Sequence, residues 1–139
     1  MTTDPTFFGV QIPLLNKIRI VEDAIHDANT ISAILPYDES NNNARGQVSG
    51  PALTALLDFS MAASVRAHSP LTHTVATIDL FLKFLKPAES DVYAECTCEH
   101  RTNGICIARG VVYDEKGEKI AIANGTFKLI ATEQCERKQ

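Results

Sequence analysis

Residues 42–67 read NNARGQVSGPALTALLDFSMAASVRA. The asparagines and Gly46 are turn formers, and Ser49-Gly50-Pro51 then marks a helix start. Ser49 or Gly50 can cap the helix, and Pro51 suits its first turn, where the missing N–H costs nothing. Beyond it Ala52, Leu53, Ala55, Leu56, Leu57, Phe59, Met61, Ala62, Ala63 and Val65 cover most of the circumference. A helix apolar on nearly all sides is a buried one, so it is expected at the centre of the fold. Asp58 alone interrupts it. A carboxylate among leucines is costly unless it is paired, hydrated or turned toward a cavity. Helical spacing places Pro51, Thr54, Ala55, Ala62 and Val65 on its stripe, mostly small residues that leave room for water or a ligand. Two readings stand at this point: an acid held by a hydroxyl or backbone donor at the edge of the core, or a functional group.

The 139 residues suit a single domain, residues 1–139, large enough for a sizeable core. An apolar content of 45% with 22% charged residues places the chain among ordinary globular proteins. The net charge of −4, with no Lys/Arg cluster, argues against nucleic acid as a partner. No apolar run reaches the roughly 18 residues of a membrane span, so no membrane partner is expected. The opening MTTDPTFFGVQIPLL lacks a basic leader and carries Asp4, so it does not read as a secretory signal, and the cytoplasm is the expected location. Cys96 and Cys98 fall on one face of an expected strand; with Cys106 and Cys135 they lack zinc-site spacing and read as packed thiols, with no metal. No serine-hydrolase elbow, zinc-protease, phosphate-loop or dinucleotide signature is present.

Before the helix, the segment through Asn16 carries Phe7, Phe8, Val10, Ile12, Leu14 and Leu15 and reads as a short helix or docked arm. Residues 17–28 are open between helix and strand, with alternation favouring a strand; a second strand follows from Asn29 to Pro36, and the two should pair as a hairpin near His26. After it, Pro70 ends the helix, leaving His68 in its last turn. In THTVATIDLFLKFLKPA the face formed by Ala76, Ile78, Leu80, Leu82 and Phe84 is uniformly apolar and is expected to cover the helix. Residues 91–102 should meet 105–114 across Asn103-Gly104 as a two-residue hairpin, setting His100 against Ile107 and Cys98 against Arg109, with His100 partly covered. Residues 119–130 return after Glu115-Lys116-Gly117-Glu118. The order is two strands, one long helix and four antiparallel strands: an α+β arrangement of one curved sheet around one helix. Its open edges and uncovered sheet face lead to an expectation of oligomers.

These residues resemble the hotdog-fold acyl-CoA thioesterases of the phenylacetate-pathway (PaaI-like) and 4-hydroxybenzoyl-CoA type, over roughly residues 38–129. The likeness rests on Asn43-x-x-Gly46-x-x-Ser49-Gly50-Pro51 leading into Leu56-Leu57-Asp58, on Thr77-Ile78-Asp79-Leu80 with Lys86-Pro87-Ala88, and on Ala123-Asn124-Gly125-Thr126-Phe127. In that family the helix start usually reads His-Gly-Gly, with an acidic residue eight positions after the first glycine. Gly50 and Asp58 keep that spacing, while Ser49 replaces the histidine and Pro51 the second glycine.

The resemblance implies hydrolysis of a medium-chain or aromatic acyl-CoA at a dimer interface, in a homodimer or dimer of dimers, with coenzyme A as part of the substrate and no cofactor. Gly50 would hold the thioester oxygen, Asn43 place the water or carbonyl, Asp58 of the facing subunit act as general base or nucleophile, and Thr77 orient the water. Ser49, Lys83, Lys86 and Arg101 are the substrate-binding candidates, the three cations reading either as contacts to coenzyme A phosphates or as solvated strand-end charges. Asn43 is equally a turn residue. Ser49 and Pro51 also raise a rival reading, a non-hydrolytic acyl-CoA or lipid-binding hotdog protein. A hotdog hydratase is disfavoured, because Ala63 stands where its Asp-x-x-x-x-His dyad needs histidine.

Overall fold

In the computed structural model the described residues are 6–7 and 10–132. Phe8, Cys135, the packing of the Phe7 side chain and the tail after Thr132 therefore lie outside the described residues. Strands β1 (Thr6–Phe7) and β2 (Val10–Gln11) pair antiparallel. Pro13–Asn16 then forms a short 3-10 helix that sinks Leu15 into the core.

Strands β3 (Val21–Ile25) and β4 (Thr30–Leu35) make the expected antiparallel hairpin. Its turn is held by the Asp27 carboxylate, which accepts from the amides of Asn29 and Thr30. Helix α1 (Gly50–Arg66) follows, then β5 (His73–Phe84), β6 (Val92–His100), β7 (Ile105–Asp114) and β8 (Lys119–Ala131). The sheet has six strands in the order β3-β4-β6-β7-β8-β5, antiparallel at every pairing. Helix α1 lies across it, touching β4 through β8. This is the hotdog fold. Among the described residues no helix is long and apolar enough to cross a membrane.

The helix packs tightly on the sheet at Gly110. A Cβ there would fall 2.7 Å from the Cys96 sulfur and 2.9 Å from a Leu57 methyl carbon, so only glycine admits this approach. Leu53, Leu56, Leu57, Ser60, Met61 and Ser64 form the buried face of α1. Cys96, Cys98 and Cys106 are free and buried under it.

The structure corrects five expectations. Helix α1 is not enclosed all round: Thr54, Ala55, Asp58, Phe59 and Ala62 are only half-buried and Pro51 is exposed, because a single sheet supplies a single covering layer. In β5, Thr77 pairs with Phe127 but Asp79 with Thr126, so Ile78 is a bulge that switches the inward face. Val75 and Thr77 therefore face the helix before it and Leu80 and Leu82 after it, while Ala76 and Ile78 stay exposed. A second bulge at Glu99 pairs Cys98 with Ala108 and Thr97 with Arg109, although His100 does oppose Ile107. Residues 101–104 form a four-residue connection there, organised by Thr102, whose hydroxyl donates to Ile105 O (2.6 Å) and accepts from Gly104 N (3.1 Å). His100 is exposed.

Candidate functional site

The loop before α1 is built by Asn43. Its side-chain oxygen accepts from the amides of Arg45 (2.9 Å) and Gln47 (3.1 Å), and Gly46 completes the turn at φ 76°. The chain then reaches Ser49, whose hydroxyl accepts from Ala52 N (3.2 Å) while its carbonyl accepts from Leu53 N (3.0 Å). Pro51 has no N–H to satisfy. Of the donors that open every helix, only the Gly50 N–H is left without a partner among the described residues. The positive end of the helix dipole is thereby concentrated on one amide.

Gly50 borders two spaces. One, of about 560 Å³, is lined by Asn43, Arg45, Gln47, Phe84 and Lys86 among others. The other, of about 600 Å³, runs along the exposed side of α1 past Pro51, Thr54 and Ala55 to Asp58 and Phe59. The Phe84 ring, 3.7 Å from where a Gly50 Cβ would stand, borders both.

Asp58 is half-buried on α1 and accepts a hydrogen bond from Thr77 Oγ1 at 2.7 Å. The Ile78 bulge is what keeps Thr77 on the helix side of the sheet. Burial pushes the Asp58 carboxyl above its ordinary value; the Thr77 bond opposes this without cancelling it. Among the described residues no cation lies within ion-pair distance of it. An acid that is desolvated, held by one hydroxyl and open to two cavities can take a proton from a bound water.

The other sequence candidates separate. Ser49 is spent on capping. Lys86 lines the cleft beside Gly50 and pairs with Glu118. Lys83 is exposed on β5 and borders neither cleft. Arg101 does not join the site: its guanidinium donates to Ser64 O (3.1 Å), Val65 O (3.2 Å), Ala28 O (3.0 Å) and Asn29 Oδ1 (2.6 Å). It thus closes the C-terminal end of α1, about 25 Å from Gly50 along a helix of this length, and pins the first hairpin. Two residues the sequence reading passed over do line the site. Arg45 could have been found as the cation nearest the helix start in the loop itself; Phe84 carried no signal beyond its apolar character.

Residues 45–121 match the family model described as the thioesterase superfamily. A Halobacterium salinarum protein that carries a provisional esterase name is 27% identical over 106 residues, 68% of this chain and 70% of that one. Among solved structures, a thioesterase of Haemophilus influenzae superposes with a TM-score of 0.80 at 18% identity, covering 94% of this chain and 96% of that chain. The PaaI protein of the E. coli phenylacetic acid degradation operon gives 0.77 at 12% identity, covering 86% and 85%. The chain belongs to the thioesterase superfamily and is a thioester hydrolase of the hotdog fold.

Proposed function

We propose that the chain hydrolyses a medium-chain or aromatic acyl-CoA to the free acid and coenzyme A, working as a homodimer. The observation that carries this reading is the single unpartnered amide of Gly50, opening onto the cleft that also contains Asp58. Eight residues of helix set the two about 12 Å apart along the axis and about 80° around it, whereas reacting groups must lie within about 3–3.5 Å. A second copy, related by a two-fold axis across the half-buried face of α1, brings Asp58 of one subunit toward Gly50 of the other.

The Gly50 N–H then polarises the thioester carbonyl and stabilises the oxyanion that forms. Asp58, as general base, takes a proton from water while the oxygen adds to the carbonyl carbon. The tetrahedral intermediate collapses with cleavage of the C–S bond, and the proton passes from Asp58 to the departing thiolate. Attack by the carboxylate itself, followed by hydrolysis of the anhydride, uses the same residues. The Asn43 side-chain amide nitrogen and the Arg45 and Lys86 cations border the path to Gly50 and suit the polar arm and phosphates of coenzyme A. Neither step calls for a cofactor.

Asp58→Asn should lower kcat about 10²–10⁴-fold with the circular dichroism spectrum unchanged; full turnover in that variant would refute the role. The use of Ser49 as a cap, with Pro51 leaving one oxyanion donor, favours a second reading as a non-hydrolytic acyl-CoA or lipid binder. Saturable acyl-CoA binding without thiol release would establish it instead.

A further inference from the structure

Asp58 borders a third space, on the side away from Gly50. It has a volume of about 200 Å³, runs toward the C-terminal end of α1, and is walled by Ile12, Phe59, Ala62, Val75 and Thr77 with Arg66 at its far end. We propose that this pocket receives the acyl group and limits it to one ring or about six carbons, with Ile12 and Ala62 setting the limit; the proposal rests on the thioesterase reading of Asp58 and Gly50.

Three observations support the assignment. An apolar cavity of about 150 Å³ holds a benzene ring, so a space of about 200 Å³ has room for one ring. Its far end is closed by a guanidinium that donates to His73 O (3.0 Å) and Pro70 O, and burying that charge under a longer alkyl chain would be costly. The cleft beside Gly50, which in the two-fold site belongs to the facing subunit, is bordered by that subunit's Arg45 and Lys86 and suits the anionic arm of the substrate, leaving the apolar pocket beside Asp58 for the acyl end. Ile12 is held in place because the 3-10 helix that follows it anchors Leu15 in the core. Ala62 lies one helical turn beyond Asp58, on the same stripe.

The test is kcat/KM for acetyl-, hexanoyl-, benzoyl-, decanoyl- and hexadecanoyl-CoA, together with calorimetric affinities of the matching non-hydrolysable thioethers. The full chain is used as wild type, Ala62→Leu and Ile12→Ala. Wild type should favour hexanoyl and benzoyl over hexadecanoyl by about 100-fold or more, since each misfitted methylene costs a factor of about 10 or more. Ala62→Leu should lower the hexanoyl-to-acetyl ratio about tenfold, and Ile12→Ala should raise the decanoyl-to-hexanoyl ratio. A wild-type profile flat or rising to hexadecanoyl, or an Ala62→Leu variant weakened equally for all chains, would overturn the assignment. Should no thioester be cleaved while the thioether affinities keep the same size limit, the hydrolytic reading fails and the pocket assignment stands.

Discussion

Asp58 works against the stability of the chain that carries it. Its carboxyl is raised above the ordinary value because burial disfavours the charge. Over the pH range between the ordinary and raised values the folded chain therefore holds a proton that the unfolded chain has released. Stability falls as pH rises through that window and stays lower above it. Asp58→Asn, permanently neutral, should accordingly melt at a higher temperature than wild type near neutral pH, with the difference closing once the pH drops below the ordinary carboxyl range; calorimetry across pH checks this. The Thr77 hydroxyl acts in the opposite sense by favouring the ionised form. Thr77→Val should move the acidic limb of the kcat/KM profile to higher pH, because the base must lose its proton to act. A limb that stays in place, or moves lower, would show that Thr77 does not tune the acid.

The elements show where local pattern sufficed and where it did not. The start of α1 is written in Ser49-Gly50-Pro51, and the Asp27 and Gly117 turns are written in their own residues. The bulges are not, since an extra residue in a strand leaves the composition unchanged and becomes visible only in the register of its partner. Ile78 is the consequential case: strict alternation puts Thr77 on the outer face, away from Asp58. Gly110 is the element-scale contact most open to test. Gly110→Ala sets a methyl against Cys96 and Leu57 where helix and sheet nearly touch, and overpacking of this kind costs about 1–3 kcal/mol. The loss should appear as a lower denaturant midpoint at unchanged slope.

At the scale of the whole molecule, the proposed second copy would cover the half-buried face of α1 and bridge the separation of Gly50 from Asp58. Subunit mixing tests this directly. Gly50→Pro removes the donor and Asp58→Asn removes the base, so each homodimer should be inactive. Random reassociation at equal amounts should restore about a quarter of wild-type activity, since half the dimers are mixed and each carries one intact pair. A site built within one chain would regain nothing.

What the sequence determined by itself was local and periodic: an apolar helix with one acid, its capped start, and strands of alternating character in the order that gives one sheet over one helix. These follow from hydrogen-bonding and burial rules that act over a few residues. What tertiary structure decided was which distant groups meet. It took Arg101, read from the sequence as either a phosphate contact or a solvated strand-end charge, to the far end of α1, brought Arg45 and Phe84 beside Gly50, and used a bulge to set Thr77 on Asp58. Such meetings depend on register and on the packing of layers, which sum over the whole chain and leave no mark at any single position.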